Sequence, residues 1–176
     1  MSWEKLLTPN LILADSILGL TPDIIERHQL QGLVLDVDET LIAINQRQLT
    51  DEVKRWVEAT KATVPISLVS NNISHERIRR IAEILDLPFV SQARKPSRRK
   101  LHRVATAMDL PFERIAMVGD RLFTDVLAGN RVGLFTILVE PMVDPLKGDP
   151  KQLIRNAEAW LSGLLGGASP KLDRPD

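Results

Sequence analysis

The chain has 176 residues, no cysteine and no net charge, with 44% hydrophobic and 26% charged residues. That size and balance fit a single soluble domain with a real core, and the missing cysteine excludes disulfides, thiolate metal sites and a cysteine nucleophile. Neutrality gives no electrostatic ground for nucleic-acid binding, and no segment approaches the roughly 20 apolar residues of a spanning helix.

Residues 1–30 form an apolar lead containing Trp3, Leu6, Leu7, Leu11, Ile12, Leu13, Ile17, Leu18 and Leu20. It is not a signal peptide: Glu4 and Lys5 precede the apolar stretch, and Pro9, Asn10, Asp15 and Ser16 interrupt it. Packing on the domain is the first expectation for it, and interfacial membrane contact the alternative. A domain over 31–166 follows. Gly32 to Val37 reads as a buried strand. Thr50 can cap a helix to about Thr60, with Val53, Trp56 and Val57 on one face. Ile66–Val69 is a second strand. Ser74 to Leu85 is a helix, with Ile78, Ile81, Ala82 and Leu85 at helical spacing. Phe89–Val90 is a short strand, and Ser97 can cap a helix through Met108. Ile115 to Val118 is a fourth strand, followed by a short helix stopped near Gly129. Gly133 to Val139 is a fifth strand. A last helix starts at Asp149-Pro150, and the tail 167–176 is expected to be disordered. Strands alternating with helices imply an α/β, three-layer Rossmann-like fold with a mostly parallel five-stranded sheet.

The polar residues gain meaning on that frame. Asp36 and Asp38 end the first strand, Ser70 the second, Lys95 follows the third and Asp120 the fourth. Open α/β sheets place ligands at the carboxyl ends of their strands, so these groups should converge at one edge. Singly, each has a plainer reading: Ser70 as a turn residue, Lys95 as a solvated side chain, Asp120 as a helix cap, Asp125 as a surface charge. Thr40 reads as a structural hydrogen-bond former, and His28, His75 and His102 as surface residues without ligand spacing.

Together, Asp36-Val37-Asp38-Glu39-Thr40, Ser70, Lys95-Pro96 and Gly119-Asp120 with Asp125 resemble the motifs of the haloacid dehalogenase superfamily, over roughly residues 31–140. The resemblance implies a HAD-like phosphatase fold and makes Asp36 the nucleophile of an aspartyl-phosphate intermediate. It makes Asp38 the acid and base that protonates the leaving alkoxide and then activates water. An acid at that second position marks hydrolases in this superfamily. Mg²⁺ is the implied cofactor, held by Asp36, Asp120, the backbone carbonyl of Asp38 and, directly or through water, Asp125. Lys95, Ser70 and the backbone N–H of Asn71 are the implied phosphate-binding groups.

Many members of the superfamily carry a cap domain between the first and second motifs or between the second and third. About thirty residues separate Thr40 from Ser70 and about twenty-five separate Ser70 from Lys95, and the elements above use them, so the domain is expected to be capless. The Leu-Val-Leu-Asp-Val-Asp-Glu-Thr-Leu run, the Ser70-Asn71-Asn72 turn, Arg94-Lys95-Pro96 and the run from Gly119 to Asp125 are most similar to subfamily IIIA, the branch of the YqeG proteins and the phosphatidylglycerophosphate phosphatases. This implies a phosphomonoester substrate on an anionic phospholipid headgroup, and a cytoplasmic protein able to sit at the inner face of a membrane. Residues 1–30 and the basic cluster 94–103 are candidate contacts there; a solvated helix face is the plainer reading of that cluster. A soluble metabolite, a macromolecular phosphomonoester and a non-catalytic phosphate-binding scaffold are the competing readings. The stretch 141–149, rich in Pro and Asp, is a candidate flap.

Overall fold

The computed structural model describes residues 3–142 and 172–173. Its elements in chain order are α1 (Trp3–Leu7), β1 (Leu11–Leu13), α2 (Pro22–Arg27), β2 (Gly32–Leu35), α3 (Asp51–Lys61), β3 (Ile66–Val69), α4 (His75–Leu85), β4 (Phe89–Val90), α5 (Arg98–Ala107), β5 (Ile115–Gly119), α6 (Leu127–Val132), β6 (Phe135–Leu138) and β7 (Leu172–Asp173). The helix expected from Asp149, most of the 141–149 stretch and the rest of the tail lie outside the described residues.

The strands form one parallel sheet in the order β4-β3-β2-β5-β6-β1-β7. Among the described residues the count is seven rather than the expected five. The additional strands are β1, from the apolar lead, and the two-residue β7. A three-residue strand buried on both faces has no alternation to betray it.

Burial follows the pleat. Leu33 and Leu35 of β2 join a core layer with Val53 and Val57 of α3 and Ile78, Ile81 and Leu85 of α4. Val34, facing the other way, packs with Leu101 and Val104 of α5 and Ala128 of α6. Helices thus cover both faces, as a parallel sheet requires. Leu11, Leu13, Ile17, Leu20, Ile24 and Ile25 complete the first layer, so the lead packs on the domain. The Trp56 indole N–H fastens it by donating to the Leu20 carbonyl at 2.9 Å.

Local chemistry sets most boundaries. The Thr50 hydroxyl accepts the Val53 N–H at 3.3 Å, and that of Ser74 accepts the Arg77 N–H at 3.3 Å. Ser97 occupies the equivalent position before α5, but its side chain makes no capping bond. Gly129 does not stop a helix: α6 continues to Val132 and ends at Gly133, which takes φ +91°. Gly129 instead lets α6 lie close on the sheet, since a Cβ there would meet the Met117 Cβ at 3.0 Å.

Strand order sets the site. From β2 the chain moves outward to β3 and β4, then returns to β5 on the other flank. The switch in direction opens a crevice beyond the carboxyl ends of β2 and β5, where such sheets bind ligands. Between Thr40 and Ser70 lie one short loop region, α3 and β3; between Ser70 and Lys95 lie α4 and β4. Neither interval holds a cap.

Candidate active site

β2 stops at Leu35, and the Asp36 N–H still reaches the Val118 carbonyl of β5 at 2.9 Å, which fixes the aspartate at the sheet edge. A tight turn follows. Glu39 takes φ +64°, the Leu41 N–H returns to the Val37 carbonyl at 2.9 Å, and the Thr40 hydroxyl donates to Asp120 at 3.3 Å. Thr40 therefore has the structural role expected of it, tying the first motif to the fourth. Beyond the strand ends lies a cavity of about 190 Å³, lined by Asp36, Asp38, Ser70, Asn71, Lys95 and Asp125, with Ile44, Asn72, Arg121 and Thr124.

Lys95 is the hub. Its ammonium is buried and donates to Asp36 at 2.5 Å and to the Val69 carbonyl at 2.9 Å, and lies 2.6 Å from Asp125. Asn71 positions it: the Asn71 side chain accepts the Lys95 N–H at 2.6 Å and donates to the Lys95 carbonyl at 2.9 Å. That side-chain clamp was not expected from the sequence, which drew attention to the Asn71 backbone.

Asp125 is no surface charge. It is 1% exposed, and it reaches the site from a turn of π-helix over Leu122–Val126, a widening common at functional sites. The Arg121 N–H donates to its carboxylate at 3.2 Å. Gly119 makes room for it, because a Cβ there would lie 2.7 Å from the Asp125 Cβ. Asp36, Asp120 and Asp125 each bring a carboxylate oxygen within 4.8 Å of the others.

Negative charge is in excess here. Burial pushes Asp120 up to about 7, and the Asp125 and Asp36 carboxylates add to the shift against the opposing pull of Arg121. Asp36 is likewise raised, by burial above all, with Lys95 only partly offsetting it. Burial disfavours the Lys95 ammonium, yet Asp125 and Asp36 outweigh it and hold Lys95 above its ordinary value. One ammonium set among these oxygen donors leaves a deficit of positive charge. A hard divalent cation, which prefers oxygen ligands, fits such a donor set.

Asp38 stands apart from that trio. One of its oxygens accepts the Asn72 side-chain amide at 2.9 Å and the Ser70 hydroxyl at 3.4 Å; the other accepts Arg77 Nε at 3.2 Å. Arg77 comes from the first turn of α4, and its Nη1 donates to the Gln46 carbonyl at 2.8 Å. Sequence reasoning missed Arg77. It sits three residues after the Ser74 cap, on the turn that a crossover helix directs to the catalytic edge, and only that placement could have signalled it. Asn72 was visible in the turn but had no role. Arg121, also unforeseen, pairs with Glu39 at 2.7 Å across the mouth. Among the histidines, His75 and His102 are exposed, while His28 is half-buried against Phe135.

Comparisons with known proteins agree with this geometry. A family described as HAD-hydrolase-like matches residues 92–141. The chain is 35% identical over 128 residues to the probable phosphatase YqeG of Bacillus subtilis (strain 168), covering 72% of this chain and 74% of that protein. Among solved structures, an uncharacterized protein from Listeria monocytogenes serotype 4b superposes with a TM-score of 0.55 at 18% identity, covering 76% of this chain and 99% of that one. A hypothetical protein from Xanthomonas campestris does so with a TM-score of 0.50 at 13% identity, over 84% and 93%. The extent of identity with YqeG, on a sheet whose strand ends gather the expected acids and lysine, makes this chain a member of the haloacid dehalogenase superfamily of phosphatases, in the YqeG branch.

Proposed function

We propose that this phosphatase is a Mg²⁺-dependent phosphomonoesterase that forms an aspartyl-phosphate on Asp36 and acts on phosphatidylglycerophosphate. The carrying observation is the division of labour between two carboxylates: Asp36, buried against Lys95, and Asp38, held away from it by Arg77 and Asn72. In the first step an Asp36 oxygen attacks phosphorus, the bond from phosphorus to the ester oxygen breaks, and Asp38 gives its proton to the leaving alkoxide. In the second, Asp38 takes a proton from water, the water oxygen attacks phosphorus, and the bond to Asp36 breaks to free inorganic phosphate. Lys95 sets positive charge beside the attacking oxygen, and Ser70 with the Asn71 N–H receives phosphoryl oxygens. The carboxylates of Asp36 and Asp120 with the Asp38 carbonyl would hold Mg²⁺, supported by Asp125; when bound, it supplies charge opposite the phosphoryl oxygens. A non-catalytic scaffold is disfavoured by residue type, because Asp36, Asp38, Ser70, Lys95 and Asp120 all suit the two steps.

The lipid substrate is supported by the uncapped mouth, which suits a group carried on a larger body, and by the arginines and lysines around the third motif. The test is phosphate release from phosphatidylglycerophosphate in mixed micelles beside a panel of soluble phosphomonoesters, with and without Mg²⁺. Strong preference for the lipid, abolished in Asp36→Asn, is expected. Equal or better turnover of soluble esters would keep the chemistry and discard the lipid.

A further inference from the structure

A second cavity, of about 280 Å³, lies beside the catalytic one of about 190 Å³. The same two loops build both. The loop after β2 sends Ile44 to the catalytic cavity and Arg47 to the second; the loop after β3 sends Asn72 to the first and Ser74 to the second. Arg77 stands between them. It lines the second cavity, and its Nε donates at 3.2 Å to Asp38, which lines the first. At that point a single guanidinium separates the two. Together they reach the size of an ordinary small-molecule site, roughly 300–1,000 Å³.

Charge in the second cavity is one-sided. Its charged lining is Arg47, Arg77, Arg80 and Glu76. Glu76 is already taken by Arg79, whose Nη2 donates to it at 2.8 Å and Nε at 3.2 Å. The acids at the start of α3 do not line the cavity, and Asp51 there is held by Lys54 at 3.0 Å. Arg47 and Arg80 have no hydrogen bond or ion pair among the described residues; Arg80 feels the field of Glu76 without bonding to it. Arg77 uses Nε on Asp38 and Nη1 on the Gln46 carbonyl, while Nη2 is buried with no hydrogen-bond partner among the described residues. A buried donor without an acceptor calls for an explanation. Exposed arginines along one helix face need none, but here arginines from two elements enclose one space beside a catalytic acid. The rest of the wall is apolar: Leu49 and Ile81 are buried, and Ile84 is half-exposed.

We propose that this cavity binds a second anionic group of the substrate, a phosphate or phosphodiester a few bonds from the phosphate that is cleaved. Arg47 and Arg80 grip its oxygens, Arg77 stands behind them, and Leu49, Ile81 and Ile84 meet the connecting carbons. Guanidinium forks match phosphate oxygens in geometry as well as charge, which suits them to this work. The proposal rests on the phosphatase reading of the neighbouring cavity and adds the feature by which an ester is chosen: two anions rather than one. The phosphodiester of a phospholipid headgroup and the second phosphate of a soluble bisphosphate offer the same chemistry.

Phosphate release by the full chain with Mg²⁺ tests this on four esters. p-Nitrophenyl phosphate and glycerol phosphate carry one anion; glycerol bisphosphate, phosphorylated at both ends, and a water-soluble short-chain phosphatidylglycerophosphate carry two. Arg47→Gln/Arg80→Gln should lose about tenfold to a hundredfold in kcat/KM on the two-anion esters, mostly through KM, as expected for lost hydrogen bonds to a charged group. Turnover of the one-anion esters should stay parental, which shows the fold and the catalytic cavity intact. Arg47→Lys/Arg80→Lys should recover part of the loss. The two-anion ester that the parent favours and the variant loses identifies the source, lipid or soluble. Equal loss on all four esters, or loss on none, would overturn the subsite. A parent that cleaves the bisphosphate best would overturn the lipid substrate and leave the subsite standing. A lipid-preferring parent indifferent to both substitutions would do the reverse, and a parent inactive on all four would overturn both.

Discussion

Asp36 and Asp38 are separated by one residue and belong to different halves of the site. Asp36 faces the sheet, where it shares the buried Lys95 with Asp125 and feels the crowding of Asp120. Asp38 faces α4 and is held by hydrogen bonds from Arg77, Asn72 and Ser70, none of which touches the other carboxylates. A half-turn of chain therefore separates a charge-dense pole from a hydrogen-bonded arm. The difference teaches that identical side chains acquire distinct surroundings from their neighbours, and the proposed mechanism assigns them distinct work: bonding to phosphorus for one, carrying a proton for the other.

Variants that remove one half at a time break this contrast. Asp36→Asn should abolish turnover, by about a thousandfold or more, in a phosphate-release assay, since the proposed mechanism loses its nucleophile. Asp38→Asn should cost about a hundredfold to ten-thousandfold, the usual span for a general acid and base. With an activated aryl phosphate its first step should recover, so that phosphorylated protein accumulates and is seen by mass spectrometry. Failure to trap it would remove the proton-carrying role. Lys95→Met should destabilise the fold by about 3–5 kcal/mol in chemical denaturation, because two buried carboxylates lose their counter-charge. Arg77→Gln should leave the fold near parental stability and lower kcat about tenfold with little change in KM, a smaller effect because Asn72 still holds Asp38.

Acidity sharpens the contrast further. The Asp120 carboxyl is raised from its ordinary 3.8 to about 7, so without divalent metal the folded chain holds protons that the unfolded chain releases. Such a group stabilises the fold at low pH, and the gain is lost as pH climbs from 3.8 through about 7. Thermal melts in chelator should therefore fall between pH 5 and about 7.5. Mg²⁺ should restore the loss, and Asp120→Asn should flatten the slope.

The catalytic half with the strongest sequence signal was legible because strand and motif coincide: Leu33–Leu35 is a buried run, and carboxylates directly after it have few other uses. Ser70, Lys95 and Asp120 followed from the same logic of strand ends. The supporting groups were not legible. Arg77 lies on a helix whose spacing displays only its apolar face, and Asn71 works through its side chain across to Lys95, a partner 24 residues away. Gly129 was misread because a glycine inside a short helix looks like a terminator until the sheet beneath it is known. β1 escaped because an apolar lead of mixed spacing says that it is buried, not how it is paired.

The placement of β1 sets an order of events during synthesis. Leu11 pairs with Ile137 and Ile12 with Leu138, so β1 leaves the ribosome more than a hundred residues before this partner is made. Contacts that distant in sequence are slow to form. β2, β3 and β5 can assemble the catalytic edge while Leu11, Ile12 and Leu13 are still unpaired and open to chaperones. Pulsed hydrogen exchange should accordingly find the amides of β2 and β5 protected before those of β1, which would make the active site older, within each folding event, than the flank of the sheet that β1 completes.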